Sequence, residues 1–273
     1  MTLNFRGKLI DLSIPKILGI LNLTPDSFYD GGSYNSIDKA LKKCEKLIME
    51  GADFIDLGAI STRPGANNLN EELEKKRLLP VLEKLIITFP EALFSIDTFR
   101  SEVANESLSI GAVMINDISG GEYDHQMFKT VSQFNCPYIL MHRNRISKTK
   151  QKNLSNDNIV YDVINYLSKR INKASNAGIN DIIIDPGFGY GKTLDDNFEL
   201  LKNLNLFHSL NCPILIGISR KSMIWKTLNT SPKNSLNGTT FLHAVALQAG
   251  TKLLRVHDVK TAKECLDLLQ ALI

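Results

Sequence analysis

The fold is decided by the stretch IIIDPGFGYGKT at residues 182–193. Three consecutive β-branched residues are typical of a strand that is buried on both faces. The strand ends at one carboxylate, Asp185, and the proline and three glycines that follow indicate an ordered loop. A helix is predicted next, over Asn197–His208. The stretch is therefore one strand–loop–helix unit with a polar group at the carboxyl end of its strand.

The same unit recurs along the chain. Strands are predicted at Ile17–Leu21, Asp53–Leu57, Leu93–Ile96, Ala112–Ile115, Pro137–Met141, Ile182–Ile184, Pro213–Ile218 and Lys252–Val256. Helices are predicted at Ile37–Glu50 (capped by Ser36), Glu71–Thr88, Ser101–Ile110, Gln126–Phe134, Ile159–Ala177, Asn197–His208, Gly238–Ala249 and Thr261–Leu272. Eight βα units in succession predict a TIM (β/α)8 barrel that forms a single domain over residues 1–273.

A short N-terminal hairpin is predicted before the barrel, within Leu3–Ser13. A doubly wound open sheet is the alternative architecture for alternating strands and helices. Against it, no GxGxxG pattern follows the first strand, and eight units are more than such a sheet usually needs.

Composition narrows the class of protein. The net charge is +3, from 32 basic and 29 acidic residues, so the chain lacks the charge excess of a nucleic-acid-binding protein. Its four cysteines form no CxxC pair and no metal spacing, which is typical of reduced thiols. No apolar run approaches the ~18 residues of a membrane span, and no signal segment opens the chain. We therefore expect a cytoplasmic protein with no nucleic-acid or membrane partner.

Polar residues end all eight predicted strands. They are Asn22, Asp56, Asp97, Asn116, His142, Asp185, the Ser219–Lys221 turn, and Arg255 with His257. Any one of them could equally be a helix cap or a loop hydrogen-bonding group. In a TIM barrel, however, the carboxyl ends of the strands meet at one mouth, where active sites lie. A polar ring around an apolar barrel predicts a small-molecule site.

Four of these residues suggest the first part of the ligand. Asp97, Asn116 and Asp185 supply acceptors and an amide, and Lys221 adds an ammonium group. Carboxylate oxygens that accept from two N–H donors, beside an amide and a lysine, suit a flat heterocycle with an amidine-like edge.

The cationic residues suggest the second part of the ligand. Arg63, Arg255 and His257 suit phosphate or carboxylate oxygens. Ser222 opens an element whose backbone N–H groups could hold another anion. Asn22 could supply one oxygen to Mg²⁺, which usually takes few protein ligands besides phosphate and water. No HxH or HExxH pattern indicates zinc, and no nucleophile with a neighbouring base is evident.

Seven segments together resemble the dihydropteroate synthase family, over Ile17–Val259. They are NLTPDSF (22–28) with DGG (30–32), STRPG (61–65), DT (97–98), ND (116–117), DPGFG (185–189), SRKS (219–222) and RVHDV (255–259). The resemblance implies a TIM barrel that is usually a homodimer. It also implies a transferase of folate biosynthesis, which condenses 6-hydroxymethyl-7,8-dihydropterin pyrophosphate with 4-aminobenzoate and releases pyrophosphate.

The resemblance also implies roles for individual residues. The pterin would be bound by Asp97, Asn116, Asp185 and Lys221. Pyrophosphate would be held by Asn22, Arg63, Arg255 and His257, with Mg²⁺ on Asn22. The 4-aminobenzoate pocket would be shaped by Phe28, Thr62, Pro64, Tyr190 and Ser222. Early C–O cleavage would leave a pterin cation that Asp30 stabilises, with Arg63 and Lys221 as the other catalytic residues. Sensitivity to sulfonamides, as aminobenzoate mimics, would follow.

The chain departs from the family pattern in two places. Ile60 stands where the family usually has Glu, before the Ser61–Pro64 segment, and Arg143 follows His142 where the family commonly has Met. These departures keep a non-catalytic pterin-binding paralogue as an alternative. A pterin-dependent methyltransferase domain is the other alternative, since it shares the barrel and the Asp and Asn contacts to the pterin.

Overall fold

The structure is a computed structural model that describes residues 1–5, 7–23, 33–60, 70–144 and 158–272, with only the backbone of residues 33–36. The strands are β1 (Thr2–Phe5), β2 (Lys8–Asp11), β3 (Lys16–Asn22), β4 (Phe54–Gly58), β5 (Phe94–Asp97), β6 (Met114–Asp117), β7 (Tyr138–Met141), β8 (Ile182–Asp185), β9 (Leu215–Ile216) and β10 (Leu253–Val256). The α-helices are α1 (Ser33–Met49), α2 (Glu71–Thr88), α3 (Ser101–Ile110), α4 (Met127–Phe134), α5 (Ile159–Asn176), α6 (Leu194–Lys202), α7 (Ser222–Thr227), α8 (Leu236–Gln248) and α9 (Val259–Gln270).

Eight parallel strands form the barrel, in the order β8-β7-β6-β5-β4-β3-β10-β9. The two ends of this order meet, because Ile184 on β8 forms a parallel bridge with Ile214, just before β9. The Ile184 N–H also donates to the Pro213 carbonyl oxygen at 2.9 Å. The predicted TIM barrel is therefore confirmed, and the open doubly wound sheet is wrong.

Alternation along the strands divides the core into two layers. On β8, Ile183 points into the barrel, whereas Ile182 and Ile184 pack outward against the helices. The inner layer consists of Leu3, Phe5, Leu12, Leu18, Phe54, Met114, Ile139, Ile183, Leu215 and Leu253. Each such buried side chain contributes about 1.5–3 kcal/mol relative to exposure.

The predicted N-terminal hairpin is confirmed and closes one end of the barrel. Strands β1 and β2 pair antiparallel. The Phe5 ring lies 5.3 Å from the Phe54 ring, between ring centroids, at the bottom of the inner layer. The opposite end, where the parallel strands finish, is left for the polar residues. Within the described part of the chain, no helix is long and apolar enough to cross a membrane.

Several predicted boundaries were wrong. The helix predicted over Asn197–His208 is α6, which begins at Leu194 because Thr193 and Asp196 form a capping box. It ends at Lys202, and a separate 3₁₀ helix covers Leu204–Leu210. Helix α1 begins at Ser33, so Ser36 lies inside it rather than at its cap. By contrast, the predicted bounds of α2 and α3 are confirmed.

Candidate active site

One arginine joins four strands at the mouth of the barrel. Arg255, on β10, donates from Nε to Asp56 Oδ2 at 2.6 Å and from Nη2 to Asp97 Oδ2 at 2.7 Å. Asn116 Nδ2 donates to the same Asp56 oxygen at 3.1 Å. The side chains come from β4, β5, β6 and β10, and Arg255 is 199 residues from Asp56 in sequence. The predicted convergence of strand ends therefore holds for these residues.

The register of neighbouring strands explains this convergence. Asp97 pairs with Asn116 across β5 and β6, and Asn22 pairs with Gly58 across β3 and β4. A Cβ at Gly58 would lie 3.3 Å from Asp97 Cβ and 3.7 Å from Asn22 Oδ1. The glycine thus leaves an amide oxygen and a carboxylate side by side at the mouth.

The cluster is partly buried, and its charges interact strongly. Burial raises the pKa of Asp97 to about 7, although Arg255 opposes the shift. Burial lowers the pKa of Arg255, but Asp56 and Asp97 outweigh it and hold that pKa above its usual value. Asp56 is fully buried, and its Oδ1 has no hydrogen-bond partner in the structure. An arginine held by two carboxylates is a fixed cation at the floor of the mouth.

Asp185 and Lys221 face this cluster from the other side of the mouth. Asp185 Oδ1 accepts from the Gly187 N–H at 2.7 Å. Lys221 Nζ donates to the Phe188 carbonyl oxygen and lies 4.5 Å from the centroid of the Tyr190 ring. Burial lowers the pKa of Lys221 to about 8, against the attraction of Asp185. Burial raises the pKa of Asp185, and Lys221 is the strongest opposing influence.

Two glycines make this side of the mouth possible. Gly187 has φ +71°, and a Cβ there would lie 1.8 Å from the His142 carbonyl oxygen. Gly189 has φ +82°, and a Cβ there would press on Lys221 Cδ at 3.2 Å. Because L side chains rarely adopt this backbone conformation, the loop needs glycine at both positions.

The rim of the mouth carries other predicted site residues. The His257 side chain is exposed, and its backbone N–H donates to Ser219 Oγ at 3.3 Å. Ser222 is the first residue of α7, and Lys221 occupies its N-cap position. The other predicted site residues, Phe28, Asp30, Thr62, Arg63 and Pro64, lie outside the described residues.

Two strand-end groups from the predicted ring have other partners. The His142 ring packs edge-on against Tyr166, with 4.8 Å between centroids, and its Nδ1 has no hydrogen-bond partner among the described residues. Arg220 forms a two-point ion pair with Asp258, at 2.8 Å and 3.0 Å. Arg220 therefore joins the turn after β9 to the start of α9 rather than presenting its charge to the mouth.

Two important carboxylates received no role from the sequence. The sequence identifies Asp56 only as a residue at a strand end. In the structure it accepts hydrogen bonds from both Arg255 and Asn116. Glu74, in the first turn of α2, is fully buried and accepts from Thr98 Oγ1 at 2.7 Å and from Arg100 Nη1. No sequence pattern separates such a glutamate from an ordinary exposed residue of a first helical turn.

The oxygen donors at the mouth fit Mg²⁺. Asn22 Oδ1 and Asp97 Oδ2 both approach Gly58, and hard oxygen ligands suit this ion. No group of three or more His, Cys, Asp or Glu side chains forms a metal cluster among the described residues.

The fold and this cluster define a (β/α)8 enzyme that binds a small polar ligand at its mouth. The model of the family described as "Pterin binding enzyme" matches residues 18–257. The dihydropteroate synthase of Haemophilus influenzae is 40% identical over 273 residues, covering 99% of this chain and 98% of the relative. The chain therefore belongs to the pterin binding enzyme family and, within it, to the dihydropteroate synthases, which are transferases.

Solved structures agree with this placement. The dihydropteroate synthase of Xanthomonas albilineans with 4-aminobenzoic acid superimposes with a TM-score of 0.90 at 36% identity, covering 99% of this chain and 97% of that one. The Yersinia pestis enzyme in a sulfonamide drug complex gives 0.90 at 38% identity, covering 100% and 99%.

Proposed function

We propose that this transferase condenses 6-hydroxymethyl-7,8-dihydropterin pyrophosphate with 4-aminobenzoate through a pterin cation, using the residues at the barrel mouth. The observation that carries the assignment of roles is the arrangement of two partly buried groups of side chains that face each other. On one side Arg255 is held between Asp56 and Asp97, and on the other Asp185 lies beside Lys221. Together they supply acceptors, an amide and cations around one opening.

The pterin is assigned to the buried groups. Asp185 already accepts from the Gly187 N–H with Oδ1, which leaves Oδ2 for a ligand N–H. Asn116 uses Nδ2 on Asp56, so its carbonyl oxygen is directed to the ligand as an acceptor. Asp97 accepts a second ligand N–H, and Lys221 donates to a ring acceptor. These donors and acceptors match the amidine-like edge of a pterin.

Pyrophosphate is assigned to the rim and to the upper part of the cluster. Arg255 uses Nε and Nη2 on carboxylates, so Nη1 is left for a phosphate oxygen. His257 is exposed above it, and Asn22 provides an amide oxygen. Asn22 would hold Mg²⁺ together with phosphate oxygens. The ion supplies charge neutralisation on the leaving pyrophosphate. Arg63 adds a further cation to this subsite.

The chemistry needs no protein nucleophile. The C–O bond of the pterin methylene breaks first, and its electron pair leaves on pyrophosphate. The amine of 4-aminobenzoate then forms the new C–N bond with its lone pair and afterwards loses a proton. The residues lower the barrier by stabilising charge on the leaving group and on the cation, the latter with Asp30, and by positioning both substrates.

The aminobenzoate pocket is assigned to the rim around Tyr190. The Tyr190 ring covers Lys221, and Ser222 begins α7 next to it. Phe28, Thr62 and Pro64 complete the pocket in this proposal. Because a sulfonamide has the same aryl amine as the substrate, we expect it to compete with 4-aminobenzoate and to raise the KM for that substrate only.

A pyrophosphate-release assay with the purified full chain tests the proposal. The enzyme receives the pterin pyrophosphate and Mg²⁺, with and without 4-aminobenzoate. Release that depends on 4-aminobenzoate, with formation of dihydropteroate, is the expected result. Tight pterin binding without release would instead indicate a non-catalytic paralogue, and Ile60→Glu would be the next variant. Methyl transfer from a methylated folate would indicate the methyltransferase alternative.

A homodimer is also proposed, through α8 and α9. Phe241 is 67% exposed on α8 and Leu268 is 71% exposed on α9. Cys265 Sγ contacts the Thr240 carbonyl oxygen at 3.8 Å, so α8 and α9 are neighbours in the fold. Large exposed apolar side chains on two adjacent helices suit a subunit interface. Light scattering should show a dimer for the natural chain and a monomer for Phe241→Lys. A dimeric variant would contradict this choice of face.

The compartment and the domain boundaries are proposals of the same kind. All four cysteines carry reduced thiols, and three of them are buried, which suits the reducing cytoplasm. The described elements from β3 to α9 all belong to one barrel, which supports one domain over residues 1–273. Limited proteolysis should then yield no stable fragment that retains pterin binding.

A further inference from the structure

The loop after β8 is organised by a half-buried lysine, Lys192, that the proposed mechanism does not use. Lys192 Nζ donates to the Gly187 carbonyl oxygen at 2.7 Å and approaches the carbonyl oxygens of His142 and Tyr190 at 3.4 Å and 3.5 Å. One ammonium group thus gathers carbonyl oxygens from the end of β7 and from both ends of the 187–190 turn.

This lysine is held by carbonyl dipoles rather than by an ion pair. Within the described part of the chain, no carboxylate lies within ion-pair distance of its Nζ. The charged and titratable groups around it are Asp185 on β8, Lys221 before α7, Asp196 on α6 and His142 just after β7. Burial lowers the pKa of Lys192 to about 7, against the attraction of Asp185.

The carbonyl oxygens that Lys192 gathers lie within the segment that shapes the site. The Phe188 carbonyl oxygen, inside the turn, receives Lys221 Nζ, and the Tyr190 ring covers that same ammonium group. The Gly187 N–H, at the start of the turn, orients Asp185. A shift of this turn would therefore move Lys221, the Tyr190 ring and Asp185 together.

We propose that Lys192 is a positioning residue, which fixes the turn at residues 187–190 so that Asp185, Lys221 and Tyr190 meet the substrates in the correct geometry. This inference rests on the proposed function, because it concerns the residues assigned there to pterin and aminobenzoate. Lys192 itself does not touch the substrates in this proposal.

Other contacts secure the neighbouring structure without Lys192. The start of α6 is capped by Thr193 and Asp196, whose side chains bond each other's backbone N–H groups at 3.1 Å and 2.8 Å. Asn197 Oδ1 accepts from the Gly189 N–H at 2.6 Å, and Asn144 Nδ2 donates to the Gly191 carbonyl oxygen at 3.1 Å. Loss of the lysine is therefore expected to loosen the turn rather than to unfold the helix.

The test compares Lys192→Met, Lys192→Arg and the natural chain by steady-state kinetics and by calorimetric binding of the pterin pyrophosphate without 4-aminobenzoate. Lys202→Met is the matched control, because Lys202 is an exposed lysine at the end of α6, the helix that follows Lys192. We expect kcat/KM for the pterin pyrophosphate to fall about 10- to 100-fold in Lys192→Met, with weaker binding. Lys192→Arg should recover part of this loss, and Lys202→Met should stay within twofold of the natural chain.

The pH profile separates positioning from a general loss of structure. Lys192 lowers the pKa of Asp185, so removal of its charge should move the acid limb of kcat/KM to higher pH, and arginine should restore it. A purely structural defect would lower the rate equally at every pH.

Kinetics of Lys192→Met equal to those of the natural chain would overturn the inference. If this variant does not fold, Lys192→Gln is measured in the same way, because it keeps a donor for the Gly187 carbonyl oxygen without the charge. Because Lys192→Gln loses the charge and the contacts to the His142 and Tyr190 carbonyl oxygens, its kcat/KM should still fall, and an unchanged value would equally overturn the inference. Failure of the natural chain to turn over would instead refute the proposed function, so the two failures are distinguishable.

Discussion

Replacement of Asp56 by asparagine tests the central cluster most directly. Asp56 Oδ2 accepts from both Arg255 Nε at 2.6 Å and Asn116 Nδ2 at 3.1 Å, whereas Oδ1 has no partner. In Asp56→Asn, the amide oxygen can occupy the Oδ2 position and keep both hydrogen bonds. The amide nitrogen must then occupy the buried Oδ1 position, where none of the described residues places an acceptor within hydrogen-bond distance.

The expected cost has two parts. A hydrogen bond to a charged group contributes about 1.5–3 kcal/mol, against about 1 kcal/mol for a neutral one, so Arg255 loses about 1 kcal/mol of stabilisation. A buried donor without a partner costs a further ~1–3 kcal/mol. We therefore expect the free energy of unfolding to fall by about 2–4 kcal/mol. The ~3–5 kcal/mol of breaking a buried ion pair outright is not reached, because Asp97 still balances the arginine.

Urea unfolding followed by far-UV circular dichroism measures this change, and kcat/KM for the pterin pyrophosphate is measured alongside it. Catalysis should weaken about 10- to 100-fold, because the common anchor of Arg255 and Asn116 loses its negative charge. Asp267→Asn is the control, since it removes the exposed Lys263–Asp267 pair and should cost at most ~0.5 kcal/mol. A loss below ~0.5 kcal/mol in Asp56→Asn, with normal kinetics, would refute the reasoning.

Three further predictions concern protonation and backbone conformation. The kcat/KM for the pterin pyrophosphate should follow a bell-shaped pH profile. Asp97, with a pKa of about 7, and Asp185 must both be ionised on its acid limb, and Lys221, with a pKa of about 8, must be protonated on its basic limb. A profile flat from pH 6 to 9 would contradict these roles. Burial lowers the pKa of His243 from 6.5 to about 4, so the unfolded chain binds its proton first and stability falls as pH drops from 6.5 towards 4. In urea titrations at pH 7.5 and 4.5, His243→Gln should remove about 2–3 kcal/mol of that fall, and an equal fall in both proteins would exclude the imidazole as its source. Gly187→Ala places a Cβ 1.8 Å from the His142 carbonyl oxygen and should lower the free energy of unfolding by about 3 kcal/mol or more, as measured by thermal unfolding. Gly178→Ala is the control, because Gly178 also has a positive φ but its Cβ would have its nearest neighbour at 3.5 Å, so it should cost only about 1–2 kcal/mol. Equal costs would show that the clash at residue 187 is relieved.

Much of the fold follows from local patterns. A β-branched run that ends at Asp185, followed by a Gly-rich loop and a helix, is one unit whose meaning is independent of distant residues. Eight repeats of that unit leave few topologies, because parallel strands need crossover helices. Helix bounds were predicted correctly where caps and breakers are clear, as at Glu71–Thr88, which Asn70 caps. The predicted start of α6 at Asn197 was wrong, because the capping box of Thr193 and Asp196 begins the helix at Leu194.

The sequence predicted which residues lie at the site, but not which hydrogen bonds they form with one another. Strand ends in a barrel converge whatever their side chains, so Asp97, Asn116 and Arg255 could be placed at one mouth from the sequence alone. The acceptor oxygen of each donor depends on strand register and on side-chain rotamers. Neither can be predicted from the local sequence.

The sequence by itself determined the architecture, the polar ring and the family, because each depends on the order and spacing of short segments. Only the tertiary structure decided that Asp56 anchors Arg255, that Glu74 is a buried acceptor, and that Lys192 gathers three carbonyl oxygens. These contacts join residues far apart in the chain or reverse the usual exposure of a charged side chain. Their energies come from burial, which exists only once the barrel has closed.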